Sequence, residues 1–109
     1  MRDPTLYLLD MVEAIDRILL IRTDCDRKRF LHDFLPRDAI LRNLEVLGEA
    51  ARNVSDEIRD EFVQVEWRKL IAFRNIISHE YFGVDYELVW DVVENKLEPL
   101  RQILLEYLD

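Results

Sequence analysis

The sequence predicts an all-α helical bundle, on three observations. Apolar residues recur at the helical period nearly everywhere, no stretch alternates as a strand does or offers an Asn-Gly hairpin turn, and only two glycines and three prolines punctuate the chain. At 109 residues, half of them apolar, there is enough chain for one core and too little for two. A single domain over residues 1–109 is therefore expected, built from four to five helices. No internal repeat is visible.

Leu8, Met11, Val12, Ile15, Ile18 and Leu19 share one face and Asp10, Glu13, Asp16 and Arg17 the opposite one, which predicts a first helix from about Thr5 to Arg22. Thr23 and Asp24 can cap a short second segment carrying Arg27, Lys28 and Arg29. Pro36 with Asp38 starts the next helix, whose stripe is Ile40, Leu44, Leu47 and Ala51. Gly48 inside that helix costs stability unless another backbone passes close by, so it marks a helix crossing. Ser55 caps a short helix in DEIRDEF, and Glu66 or Trp67 begins the following one. After Gly83 and Asp85 a long final helix carries Val89, Val93, Leu97, Leu100, Leu104 and Tyr107 on one side. Pro99 lies within it and should kink or break it near Leu97.

Charge and composition narrow the function. The formal charge of −8 argues against general affinity for DNA or RNA, so any polyanion must meet a local basic pocket. Among the basic residues only Lys28, Lys69 and Lys96 are lysines; the other twelve are arginines. Their planar fork suits phosphate and carboxylate partners, although arginines also lace acidic helices together. The segment MRDPTLYLLD has an acid where a signal peptide needs an unbroken apolar run, and no long apolar run follows, so a cytoplasmic location is expected. Cys25, the one cysteine, reads as an unreactive, half-exposed thiol. His32 and His79 have no shared ligand spacing, which leaves no expectation of a bound metal or other cofactor. His32 reads as an exposed helix residue without a role.

The chemistry concentrates in RNIISHEY, residues 74 to 81. With Arg74 at zero on a helical wheel, Ser78, Asn75 and His79 fall at about 40°, 100° and 140°, whereas Leu70, Phe73, Ile76 and Ile77 occupy roughly 200° to 320°. The polar residues thus share an arc away from the core face. Glu80 would point into that apolar face, so the helix should end close to His79. Trp67, Ile71 and Ala72 flank the polar arc and need cover from a second helix or a second subunit. The plainer reading of the cluster is structural, with Arg74 paired to Glu45 or Glu49 and His79 capping the helix end.

The segment RNIISHEY resembles the Arg-polar-x3-His motif of HEPN-domain ribonucleases, extended by x-Tyr as in the HepT toxins. The resemblance covers nearly the whole chain: DAILRNLEVLGEAAR resembles the third helix of the HepT-like family, VEWRKLIAFRNIISHEYFGVD its motif helix and turn, and YELVWDVVENKLEPL its last helix. Gly48, Glu49 and Ala50 together with Trp67 make the match far more specific than the short motif alone. The resemblance implies a HEPN-type bundle and a metal-independent endoribonuclease, the toxin of a toxin–antitoxin pair. It further implies a homodimer with the active site in a cleft between two protomers. The implied partner is a nucleotidyltransferase antitoxin of the MntA kind, which silences the toxin by transferring AMP to the motif tyrosine, here Tyr81.

These residue types suit the reaction. RNA carries its own nucleophile, the 2′-hydroxyl, so catalysis needs a proton acceptor, a proton donor and positive charge at the phosphorus. Imidazole titrates near neutral pH, which fits His79 for proton transfer. A guanidinium stays cationic and grips two phosphoryl oxygens, which fits Arg74. Asn75 is placed to orient the imidazole or to bond the phosphate, and Glu49 to hold Arg74 across the helix crossing. Arg22, Arg27, Lys28, Arg29 and Arg42 are the basic residues expected to gather near a dimer cleft. The alternative, from another class, is a non-catalytic helical module that binds a nucleotide or a nucleotidyltransferase, with Arg74 and His79 holding a phosphate that is not cut.

Overall fold

Backbone donors left over at most helix starts are taken up by local acids and hydroxyls, and these set the element boundaries. The computed structural model describes residues 2–80 and 83–109. Helix α1, Pro4–Arg22, begins where the Asp3 carboxylate accepts from the Thr5 amide. Helix α2, Arg27–His32, is capped by Asp26 through the Arg29 amide, two residues beyond the expected Thr23 and Asp24. The Thr23 hydroxyl instead donates back to the Leu20 carbonyl at the end of α1. Helix α3, Phe34–Arg52, starts earlier than expected because Asp33 caps it. Pro36 sits in its first turn, where a missing N–H costs nothing. Helix α4, Asp56–Arg59, follows the Ser55 cap, and α5, Trp67–His79, ends at the expected residue.

The long final helix divides into α6, Tyr86–Asn95, and α7, Leu97–Leu108. Pro99 explains the division. Its ring would clash with the carbonyl four residues back, and that residue, Asn95, is the last of α6. With the short α2 and α4, both expected, this break brings the helices among the described residues to seven, against a bundle of four to five. There is no strand among the described residues, and no helix among them is long and apolar enough to cross a membrane.

The core forms chiefly where α1 packs on α3, with α7 closing on α1 and α5 resting on α3. Leu8, Met11, Ile15 and Ile18 of α1 are fully buried, as are Ile40, Leu47, Val93, Leu97 and Leu104. Phe30 anchors α2: its ring is fully buried and lies 5.3 Å from the Trp90 ring and 6.2 Å, edge-on, from Tyr86. Cys25 is buried as well, not half-exposed, and burial pushes its thiol pKa up. At the other end the Tyr107 ring packs at a tilt against Phe62, which in turn packs against Trp67. Arg59 closes that corner by donating to the Ala51 and Arg52 carbonyls at the end of α3.

Candidate active site

Gly48 lets α3 and α5 approach closely. A Cβ at that position would overlap the Cβ of Arg74, stand 2.8 Å from its Cγ and lie 3.3 Å from the Leu70 carbonyl oxygen. The stem of Arg74 is thereby pressed into the crossing, and its side chain is only 23% exposed. The guanidinium is held from two sides: Nη2 lies 3.3 Å from Glu49 Oε2, and Nη1 donates to Asn75 Oδ1 at 3.0 Å. Nε is buried with no hydrogen-bond partner among the described residues. Glu49 also stands 3.8 Å from Arg52, so the carboxylate sits between two cations.

One helical turn after Arg74, the Ser78 hydroxyl donates to Glu45 Oε2 at 2.8 Å. Glu45 and Glu49 are four residues apart and therefore lie on the same face of α3. They receive the two half-buried members of the polar arc. Asn75 and His79 are exposed. The arc is thus divided: Arg74 and Ser78 are tied to α3, while His79 projects to solvent at the last residue of α5. Asn75 bonds Arg74 and not the imidazole. The expected core face is also rotated, with Ile77 and Trp67 buried and Ile76 40% exposed. Trp67 finds its cover in Phe62 and Arg59.

Tyr81 lies outside the described residues. Among the described residues, no three His, Cys, Asp or Glu side chains come together as a metal site would need. His32 is exposed at the end of α2. Of the basic residues expected near a cleft, Arg22, Arg27 and Arg29 line a cavity beside Cys25 and Trp90, with Arg27 paired to Glu87 and Arg29 to Asp33. Arg42 alone of the five lines the same pocket as Arg74. Sequence reasoning placed Ser78 on the arc but gave it no role; the signal available was the pair of acids, Glu45 and Glu49, one turn apart opposite Arg74.

A second surface lies along α5. Leu70 and Phe73 of α5 face Leu88, Val92, Leu100 and Ile103 across a largely apolar groove of about 490 Å³. Leu88 is 54% exposed and Ile76, three residues before His79 on α5, is 40% exposed, so apolar surface is left uncovered by the described residues.

Comparison with known proteins agrees on one family. The family model described as "HepT-like: Ribonuclease HepT-like" matches residues 11–107. The chain is 33% identical over 101 residues to "Putative RNase MJ1380" of Methanocaldococcus jannaschii, covering 93% of both chains. It is 34% identical over 96 residues to "Putative RNase MJ0127" of the same organism, covering 88% of this chain and 79% of that one. It is 32% identical over 95 residues to "Probable ribonuclease HepT" of Thermococcus cleftensis, covering 87% and 86%. No solved structure matches significantly.

Proposed function

Because the chain belongs to the HepT-like ribonuclease family, we propose that it is an endoribonuclease that cuts RNA without a metal ion, using Arg74 and His79, as the toxin of a toxin–antitoxin pair. The observation that carries this reading is the division of the arc. Arg74 is fixed at the α3–α5 crossing by Gly48 and Glu49, and five residues on, at the end of the same helix, His79 is open to a substrate.

In the proposed reaction the phosphodiester lies against Arg74, whose guanidinium neutralises the charge that builds on the phosphoryl oxygens. An imidazole removes the proton of the 2′-hydroxyl as its oxygen bonds to phosphorus. The bond from phosphorus to the 5′-oxygen breaks, and a second imidazole protonates that oxygen. The products are a 2′,3′-cyclic phosphate and a free 5′-hydroxyl. One chain has a single suitable histidine, so the second imidazole is His79 of another copy in a two-fold dimer. The apolar groove along α5 and the exposed Ile76, three residues before His79, support this, since an interface core is where such surface is buried. Asn75 supports Arg74 in this scheme, and Glu49 holds it in place.

Silencing is proposed to occur at Tyr81, two residues past His79, through AMP transfer by a nucleotidyltransferase antitoxin of the MntA kind in the cytoplasm. AMP there would add a negative charge and a bulky nucleotide two residues along the chain from His79, opposing RNA by repulsion and by blockage.

The test is cleavage of a defined RNA in EDTA by the unmodified protein beside Arg74→Ala and His79→Ala. His79 is exposed, so its variant should fold as the parent does. Cleavage by the parent that is lost in both variants is the expected result. No cleavage by a protein whose mass shows Tyr81 unmodified would leave a phosphate-binding helical module in its place.

A further inference from the structure

We infer that the pocket beside Arg74 is a nucleobase pocket, reading one base of the strand next to the phosphate that Arg74 grips. This rests on the reading of Arg74 as an RNA-binding residue. The pocket, about 260 Å³, opens where α1, α3 and α5 meet, and is lined by Tyr7, Arg42, Glu45, Glu49, Asn53 and Arg74.

Its charge is balanced. With the Arg2–Asp10 pair, which also lines it, three guanidiniums meet three carboxylates. A pocket for a second phosphate would carry surplus positive charge. Interleaved donors and acceptors match the edge of a base, which presents both. Glu45 and Glu49 each use Oε2 toward Ser78 and Arg74, which leaves Oε1 of each to accept from a base N–H.

Arg42 is exposed and makes no ion pair among the described residues, so its planar fork is open for a carbonyl or ring nitrogen. Tyr7 supplies a ring face. Arg2 already lies over it, 4.9 Å from the ring centroid, from a half-exposed position that a base can take over. The volume falls just under the roughly 300–1,000 Å³ of sites for drug-sized ligands, which suits a single ring system and not a whole nucleotide.

The experiment is cleavage of a set of short RNAs carrying each of the four bases on either side of one scissile bond, by the parent, Arg42→Ala and Tyr7→Leu. The parent should prefer one base at one fixed position by roughly tenfold or more in kcat/KM. Each variant should cut that preference to about threefold or less while retaining cleavage that His79→Ala abolishes. Arg42 is exposed, so its variant should fold even if Tyr7→Leu does not. Equal cleavage at all four bases, or an unchanged preference in Arg42→Ala, overturns the base pocket and leaves the ribonuclease reading intact. If the parent cuts no RNA, the ribonuclease reading fails and the pocket is tested directly by titrating AMP, GMP, CMP and UMP into the isotope-labelled protein. Amide shifts at Tyr7 and Asn53 that vanish in Arg42→Ala then support a base site, and none with any nucleotide overturns it.

Discussion

Gly48 of α3 and Arg74 of α5 occupy adjoining space so closely that a single methyl group on the glycine would overlap the arginine Cβ. The fold and the chemistry proposed for Arg74 therefore depend on the same contact. Gly48→Ala removes a helix-interior glycine, worth up to about 1 kcal/mol in propensity, yet forces the two backbones apart. The second effect should win, because overpacking a close contact typically costs about 1–3 kcal/mol and the obstructing atom is next to the backbone. The expected outcome is a lower urea midpoint and cleavage reduced further than stability alone explains. A raised midpoint would mean that the helices separate freely.

Ser78→Ala deletes the one hydroxyl that ties the last turn of α5 to Glu45. A half-buried hydrogen bond to a charged acceptor is worth about 1–2 kcal/mol, so Tm should fall by several degrees. Glu45→Gln keeps an acceptor and should lose about half as much. Thermal melts of the two variants separate these outcomes.

Glu49→Ala releases Arg74. The pair is partly exposed, so its loss should cost no more than about 1 kcal/mol after solvent screening. Activity should suffer more, with kcat lowered about tenfold as the guanidinium samples other positions. Unchanged activity and unchanged Tm together would remove Glu49 from the site.

Cys25 supplies a pH test. Burial raises its thiol pKa in the folded chain, so the folded state holds this proton more tightly than the unfolded state does. The associated stability is complete below the ordinary thiol range and is lost as pH rises through the raised folded value. Alkylation at neutral pH should be much slower in the native protein than in urea, as followed by mass spectrometry, and equal rates would show the thiol to be accessible.

Much of this architecture was legible in the sequence because helical periodicity and capping residues act locally. The α1 stripe, the end of α5 at His79 and the break caused by Pro99 all follow from a few neighbouring residues. Gly48 announced a crossing for the same reason. What the sequence hid depends on which helices meet. Nothing local says that Arg74 and Ser78 turn to α3 while His79 does not, or that Phe30 closes α2 onto Trp90. Ile76 sits on the expected core face yet is exposed, because α5 is covered on its α3 side and open beside α6 and α7. Arg42 and Tyr7, 35 positions apart, meet only in the folded chain.

The one-sided support of α5 also bears on how the molecule fails. Most of its anchorage is to α3, whereas α1 is clamped between α3 and α7. Backbone amides of α5 should then exchange with deuterated solvent through a partial opening that leaves the α1 amides protected. On warming, such an enzyme would fall silent some degrees before it melts, and a second copy seated against the open flank would close that gap.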